Sequence, residues 1–185
     1  MGWMIVFVSG AVRSGKSEAA EVCAIRLAAG ETLHYVATAR AADAEMKERI
    51  RRHQERRMRM AASWVVWEAP DQLLAALRPS DVVLLDCLTM WWANVLFAGD
   101  EWKTEEGAFA AARCLLDQVQ MWAAVCRAVV IVSNELFSGG VPDDLGTFRY
   151  MKTLGWLHQQ LVAEAEAAAM VECGLLRVKK GQWPQ

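Results

Sequence analysis

The chain has 185 residues, 55% of them hydrophobic and 23% charged, with a formal net charge of −2; one globular domain over residues 1–185 accounts for that length, and the near-neutral charge supplies no general attraction for nucleic acid or anionic lipid. Its five cysteines (Cys23, Cys87, Cys114, Cys126 and Cys173) are widely spaced without a C-x-x-C pair, which argues against a disulfide framework or a zinc site and predicts reduced, mostly buried thiols. No apolar run reaches membrane-spanning length, because Asp86 and Asn94 interrupt the best candidate, and without a basic leader ahead of the first strand the expected address is the cytoplasm.

Met4-Ile5-Val6-Phe7-Val8 reads as a short buried strand running into Gly10-Ala11-Val12-Arg13-Ser14-Gly15-Lys16-Ser17, which satisfies G-x-x-x-x-G-K-[ST]. Each of these loop residues is a candidate nucleotide-binding position. Gly10 and Gly15 let the backbone fold tightly, so that successive N–H groups converge on phosphate oxygens at a helix N-terminus. Lys16 is placed to reach the β- and γ-phosphates as a catalytic cation, and the Ser17 hydroxyl to ligate Mg²⁺. Lys16 to Ala29 carries apolar residues at helical spacing and stops at Gly30. Leu33 to Ala37 is a second strand, with Thr38 and Ala39 at its carboxyl end, where ligands of open α/β sheets sit.

Asp43 to Met60 is strongly basic. After residue 46 it holds Lys47, Arg49, Arg51, Arg52, Arg56, Arg57 and Arg59 against Glu48 and Glu55 alone. On a helix, Met46, Ile50, His53 and Arg57 form one stripe. Periodicity alone describes a solvated basic helix with a packed histidine; the sharper alternative is that the arginines receive a polyphosphate and His53 works on it.

Trp64 to Trp67 is a short strand, and Pro70 is placed to open a helix over Asp71 to Leu77. Asp81 to Asp86 is a buried strand ending in a carboxylate, which presents Asp86 either to Mg²⁺ as a Walker B acid or as a cap on the helix from Leu88. Leu88 to Phe97 and Glu105 to Ala128 are expected helices separated by a polar break. Val129 to Ser133 is a strand with Asn134 and Glu135 at its end, Asp143 to Ala168 is mostly helix, and Met170 to Val178 supplies one or two closing strands. Strands alternating with helices and ending in polar residues predict an α/β fold: a P-loop NTPase with a three-layer α/β/α arrangement around a mostly parallel sheet.

No N-K-x-D or T-K-x-D guanine-reading element is present. Instead the chain resembles the bifunctional adenosylcobinamide kinase / adenosylcobinamide-phosphate guanylyltransferase family of cobalamin biosynthesis. The resemblance rests on Gly10 to Ser17; Tyr35 to Ala39; Asp43 to Met46 with Arg49, Ile50 and His53; Trp64 with Glu68; Leu85 to Thr89 with Trp91 and Asn94; and Ser133 to Glu135 with Val141-Pro142. It implies a RecA-like fold, ATP or GTP as phosphoryl donor with Mg²⁺, adenosylcobinamide and its phosphate as acceptors, and a trimer. It also implies that His53 is the residue that carries GMP, and that Ala37, Thr38, Ala39, Gln54, Glu55, Arg56, Arg57, Glu68 and Asp86 contact GTP. Trp91, Trp92 and Trp156 hint at a subunit contact, with plain core packing the commoner role for any one of them; in a trimer the Trp91-Trp92 pair would find a use at a subunit boundary.

The chain departs from the family pattern at Met58, where proline is usual, in a short insertion ahead of Trp64, in Leu136-Phe137-Ser138, at Phe148, Met151 and Lys152, and at His158, where asparagine is usual. The nucleotide half is intact and the departures are expected on the corrinoid-facing half. Two other classes compete: a RecA-like nucleic-acid-dependent ATPase, motivated by the basic segment, and a monofunctional small-molecule kinase, which would leave His53 without a catalytic task.

Overall fold

A computed structural model describes residues 4–39, 44–60 and 62–184, and within these only the backbone at positions 45, 46, 49 and 53. Asp43 and the side chains of Glu45, Met46, Arg49 and His53, which the sequence singled out, thus lie outside the described residues.

The chain alternates strand and helix: β1 (Met4–Gly10), α1 (Lys16–Ala28), β2 (Leu33–Ala37), α2 (Ala44–Arg59), β3 (Trp64–Trp67), β4 (Val82–Asp86), α3 (Leu88–Leu96), α4 (Glu105–Val125), β5 (Ala128–Asn134), α5 (Leu145–Glu164), β6 (Ala167–Glu172) and β7 (Leu175–Lys180). The strands form one sheet in the order β3-β2-β4-β5-β1-β6-β7. All pairs are parallel except β6 with β7. Alternation along each central strand sends side chains to two cores. Ile5, Phe7, Val83, Leu85, Val129 and Ile131 face α3, α4 and α5. Val6, Val8, Leu84, Val130 and Val132 face α1. A sheet buried on both faces needs apolar residues at every position, which is why these strands read as continuous runs.

The topology puts functional ends side by side. β5 lies between β1 and β4, in register Gly10↔Asn134 and Val132↔Asp86, so the phosphate loop, Asn134 and Asp86 leave the sheet together at its carboxyl edge. Thr38, just beyond β2, belongs to the same edge: its amide donates to the Asp86 carbonyl at 3.3 Å.

Several expectations are corrected. The helix expected to reach Ala128 ends at Val125, because Ala128 joins the ladder opposite Met4. The helix expected to reach Ala168 ends at Glu164, and Ala167 and Ala168 pair with Val6 and Phe7. In both cases strand pairing overrides the helix propensity of alanine. The segment after Pro70 makes two 3₁₀ turns in place of a helix. Asp86 does not cap α3, whose cap is Cys87 without a side-chain bond. Trp91 and Trp92 take the commoner of their two expected roles, core packing: Trp91 stacks on Trp122 with centroids 5.2 Å apart, and Trp92 is fully buried, its Nε1 donating to Thr153 Oγ1 at 3.1 Å.

Candidate active site

The phosphate loop is shaped by its glycines and by what packs beneath it. A Cβ on Gly10 would fall 2.4 Å from the Val171 carbonyl oxygen and 2.6 Å from Ser14 Oγ, so only glycine fits. Gly15 has φ +96°, a left-handed conformation that costs glycine nothing. Gly15 is also the N-cap of α1, so the loop amides sit at the positive end of that helix. Lys16 is buried, and its Nζ donates to the Ala11 carbonyl at 3.0 Å.

Two cavities open at this edge, one on each side of α2. The smaller, of about 470 Å³, is lined by Val12 to Glu18 of the loop and α1 and by Glu48, Arg52 and Arg56 of α2. The larger, of about 1140 Å³, takes Ala37, Thr38, Ala39, Asp86, Glu68 and Asn134 from the strand ends. Ile50, Gln54 and Arg57 of α2 also line it, and it extends along α4 as far as Gln118. With about 3.6 residues per turn, position 53 falls between the row of Arg57 and the row of Arg56, on the seam of the two cavities.

A chain of contacts ties α2 to this edge. Arg56 Nε and Nη2 donate to Glu21 of α1 at 2.6 and 2.8 Å. The Arg57 guanidinium carbon lies 3.6 Å from the centroid of the Tyr35 ring, and the Tyr35 hydroxyl donates to Asp86 Oδ2 at 3.0 Å. Burial, reinforced by the Asp86 charge, pushes the Tyr35 hydroxyl well above its usual pKa and keeps it a donor. At the strand ends, Asn94 Nδ2 donates to the Thr38 carbonyl at 2.9 Å and Asn134 Nδ2 to Thr89 Oγ1 at 2.8 Å.

The structure therefore brings together Val12 to Ser17 on one side of α2 and Ala37 to Ala39, Gln54, Arg57, Glu68 and Asp86 on the other, with Arg56 facing the loop. Glu55 stands apart, paired with Arg51 on the outer face of α2 and lining neither cavity. The basic surface is less available than its charge count suggests: Arg51 and Arg52 pair with Glu48, and Arg56 and Arg57 turn inward. Phe137, Phe148, Met151 and Lys152 line neither cavity; Lys152 pairs with Glu105 at 2.7 Å, and Phe137 packs edge-on against His158.

Two of the three histidines have structural work. His34 is buried, with Nδ1 accepting from Trp67 Nε1 at 2.9 Å and Nε2 facing Asp81 Oδ2 at 3.0 Å. Because the indole can only donate, the His34 proton sits on Nε2 and both nitrogens are engaged. His158 Nε2 shares a hydrogen bond of 2.6 Å with buried Ser133, and burial pushes its pKa down to about 4.

Sequence reasoning overlooked Glu21. Its signal was present: Glu21 repeats with Ala24 and Ala28 on the apolar face of a helix, where an acid has to find a cation.

The family model described as cobinamide kinase / cobinamide phosphate guanyltransferase matches residues 6–178. The bifunctional adenosylcobalamin biosynthesis protein CobP of Pseudomonas aeruginosa is 36% identical over 181 residues, covering 95% of this chain and 96% of the relative. CobU of Salmonella typhimurium, named likewise, is 34% identical over 179 residues, covering 93% and 97%. Among solved structures, the flagellar accessory protein FlaH of Methanocaldococcus jannaschii aligns over 98% of this chain and 80% of its own, with a TM-score of 0.50 and 12% identity. That likeness concerns the RecA-like fold alone. With the phosphate loop, the acid-bearing strand and a match along nearly its whole length, the chain belongs to the cobinamide kinase / cobinamide phosphate guanyltransferase family.

Proposed function

We propose that this protein phosphorylates the hydroxyl of the aminopropanol arm of adenosylcobinamide and then places GMP from GTP on that phosphate, through a covalent intermediate on His53. What supports the reading is the position of α2, with the phosphate loop on one side and the strand-end cavity on the other; helical spacing puts position 53 between the rows that line them. One helix then serves both stages.

In the kinase stage the corrinoid hydroxyl oxygen attacks the γ-phosphorus, the bond to the bridging oxygen breaks, the nucleoside diphosphate leaves and the hydroxyl proton is released. The loop amides and Lys16 hold the phosphates, which is most of what phosphoryl transfer requires. In the second stage a neutral imidazole nitrogen of His53 attacks the α-phosphorus of GTP and pyrophosphate departs. An oxygen of the corrinoid phosphate then attacks the same phosphorus and the N–P bond breaks, freeing the histidine. Arg56 and Arg57, on the next turn of α2, stabilise charge developing on the phosphates.

Mg²⁺ fits the residues present. Among the described residues no cluster of three or more His, Cys, Asp or Glu side chains could hold a metal by itself. Asp86 and Ser17 would supply one carboxylate and one hydroxyl, with phosphate oxygens and water completing the shell, as a small hard cation prefers. The ion would neutralise charge on the β- and γ-phosphates. A cytoplasmic location and a trimer are what the family resemblance implies.

The nucleic-acid motor is the weaker reading, since four arginines of the basic segment are already engaged within the chain. Product analysis tests the proposal: with adenosylcobinamide, γ-labelled GTP is expected to label the corrinoid phosphate and α-labelled GTP the nucleotide-capped product. Label in neither product contradicts it.

A further inference from the structure

We propose that Glu21 is a positioning residue for guanylyl transfer: by holding Arg56 and Arg57 it seats α2, and with it position 53, over the phosphate loop. The inference rests on the reading that position 53 carries GMP.

Glu21 stands on α1 one turn beyond Ser17 and is 0% exposed. A carboxylate with no access to water is strongly unfavourable unless cations meet it. Here Arg56 does so with two parallel N–H bonds of 2.6 and 2.8 Å, and Arg57 Nη1 lies 3.9 Å away as a second positive charge. The fork-on-carboxylate geometry fixes direction as well as distance. A lysine or a single bond would leave α2 free to roll about its axis.

The location of the pair separates it from ordinary fold stabilisation. It joins the helix that begins at the phosphate loop to the helix that holds position 53, and Arg56 is only three residues, less than one turn, from that position. Arg56 also lines the loop cavity beside Lys16. Arg57 Nη1 is buried without a hydrogen-bond acceptor and faces Glu21 at 3.9 Å, while Arg57 also lines the larger cavity. Glu21 thus sets the aim of two guanidinium groups, one lining each cavity.

The test is Glu21→Gln in the full chain, which keeps the size of the side chain and removes its charge. Covalent guanylylation from α-labelled GTP is expected to fall by about 10- to 100-fold in kcat, since misplacing a reacting group by about 1 Å can cost about 100-fold. Phosphorylation of adenosylcobinamide is expected to change far less, and Glu21→Asp, which keeps the charge, to recover part of the loss. Amides of residues 44–59 are expected to exchange with solvent faster in Glu21→Gln, with those of α4 unchanged. Wild-type labelling in Glu21→Gln overturns the proposal, as does a proportional loss of both stages together with thermal stability. If the wild-type protein takes no label, the reading of position 53 fails and the catalytic role of Glu21 with it; the exchange comparison then decides separately whether Glu21 docks α2.

Discussion

The guanidinium of Arg57 lies over the ring of Tyr35, with its carbon 3.6 Å from the centroid, while the Tyr35 hydroxyl donates to Asp86 at 3.0 Å. A planar cation on α2 is thereby joined, through one aromatic ring, to the carboxylate at the end of β4. Lysine cannot reproduce the stacking. Arg57→Lys is expected to destabilise the fold by about 1–2 kcal/mol, a drop of roughly 3–6 °C in Tm, and to weaken GTP binding. Calorimetry with and without GTP checks both; an unchanged Tm would show that the stacked pair contributes nothing.

Lys16→Ala is expected to lower the turnover of both stages by about 100-fold or more, because each handles a triphosphate at the same loop and depends on fixed positive charge there. Parallel assays of corrinoid phosphorylation and of GMP transfer measure this. Undiminished rates in both would remove the loop from the mechanism.

His158 gives a pH dependence with a definite sign. Burial lowers its folded-state pKa from 6.5 to about 4, with Glu135 acting in the opposite direction. Between those values the unfolded chain binds a proton that the folded chain refuses, so stability is lost as pH falls from about 6.5 to about 4 and is constant above. The full linkage is worth roughly 3 kcal/mol, and partial exposure of the ring reduces it to about 2. Urea denaturation of His158→Asn across this window is expected to show a shallower slope than the wild type; equal slopes would assign the acid sensitivity to other groups.

Much of the site was legible because its signals are local. The loop motif, the apolar run ending in Asp86 and the basic helix each lie within a few consecutive residues, and each occupies its expected element. The helix ends near Val125 and Glu164 were not, since alanine favours helix locally and the β1 ladder that claims Ala128, Ala167 and Ala168 lies far away in sequence. Glu21 escaped for the same reason: its partner Arg56 is 35 residues distant. The tryptophan pair left two roles open because composition reports that a large aromatic is buried and is silent on whether its own chain or another covers it; its own chain does.

The thiols divide cleanly. Cys23, Cys87 and Cys126 are buried, which pushes Cys23 and Cys126 up to about 12 and raises Cys87 as well, whereas Cys114 and Cys173 are exposed. A thiol reagent is expected to modify Cys114 and Cys173 alone in the folded protein. Cys114 lines the larger cavity, so GTP with adenosylcobinamide phosphate is expected to slow its modification and leave Cys173 unaffected. Equal protection of both, or of neither, would place the substrates elsewhere.

His53 is the proposed carrier of GMP. Wild-type protein incubated with α-labelled GTP is expected to retain about one nucleotide per subunit in a bond stable to base and lost in acid, as a phosphoramidate is. His53→Ala and His53→Asn are expected to take no label and to make no nucleotide-capped corrinoid, while keeping part of the kinase activity, which needs Lys16 and alignment but no covalent nucleotide. Acid-labile GMP on either variant, or none on the wild type, would contradict the account.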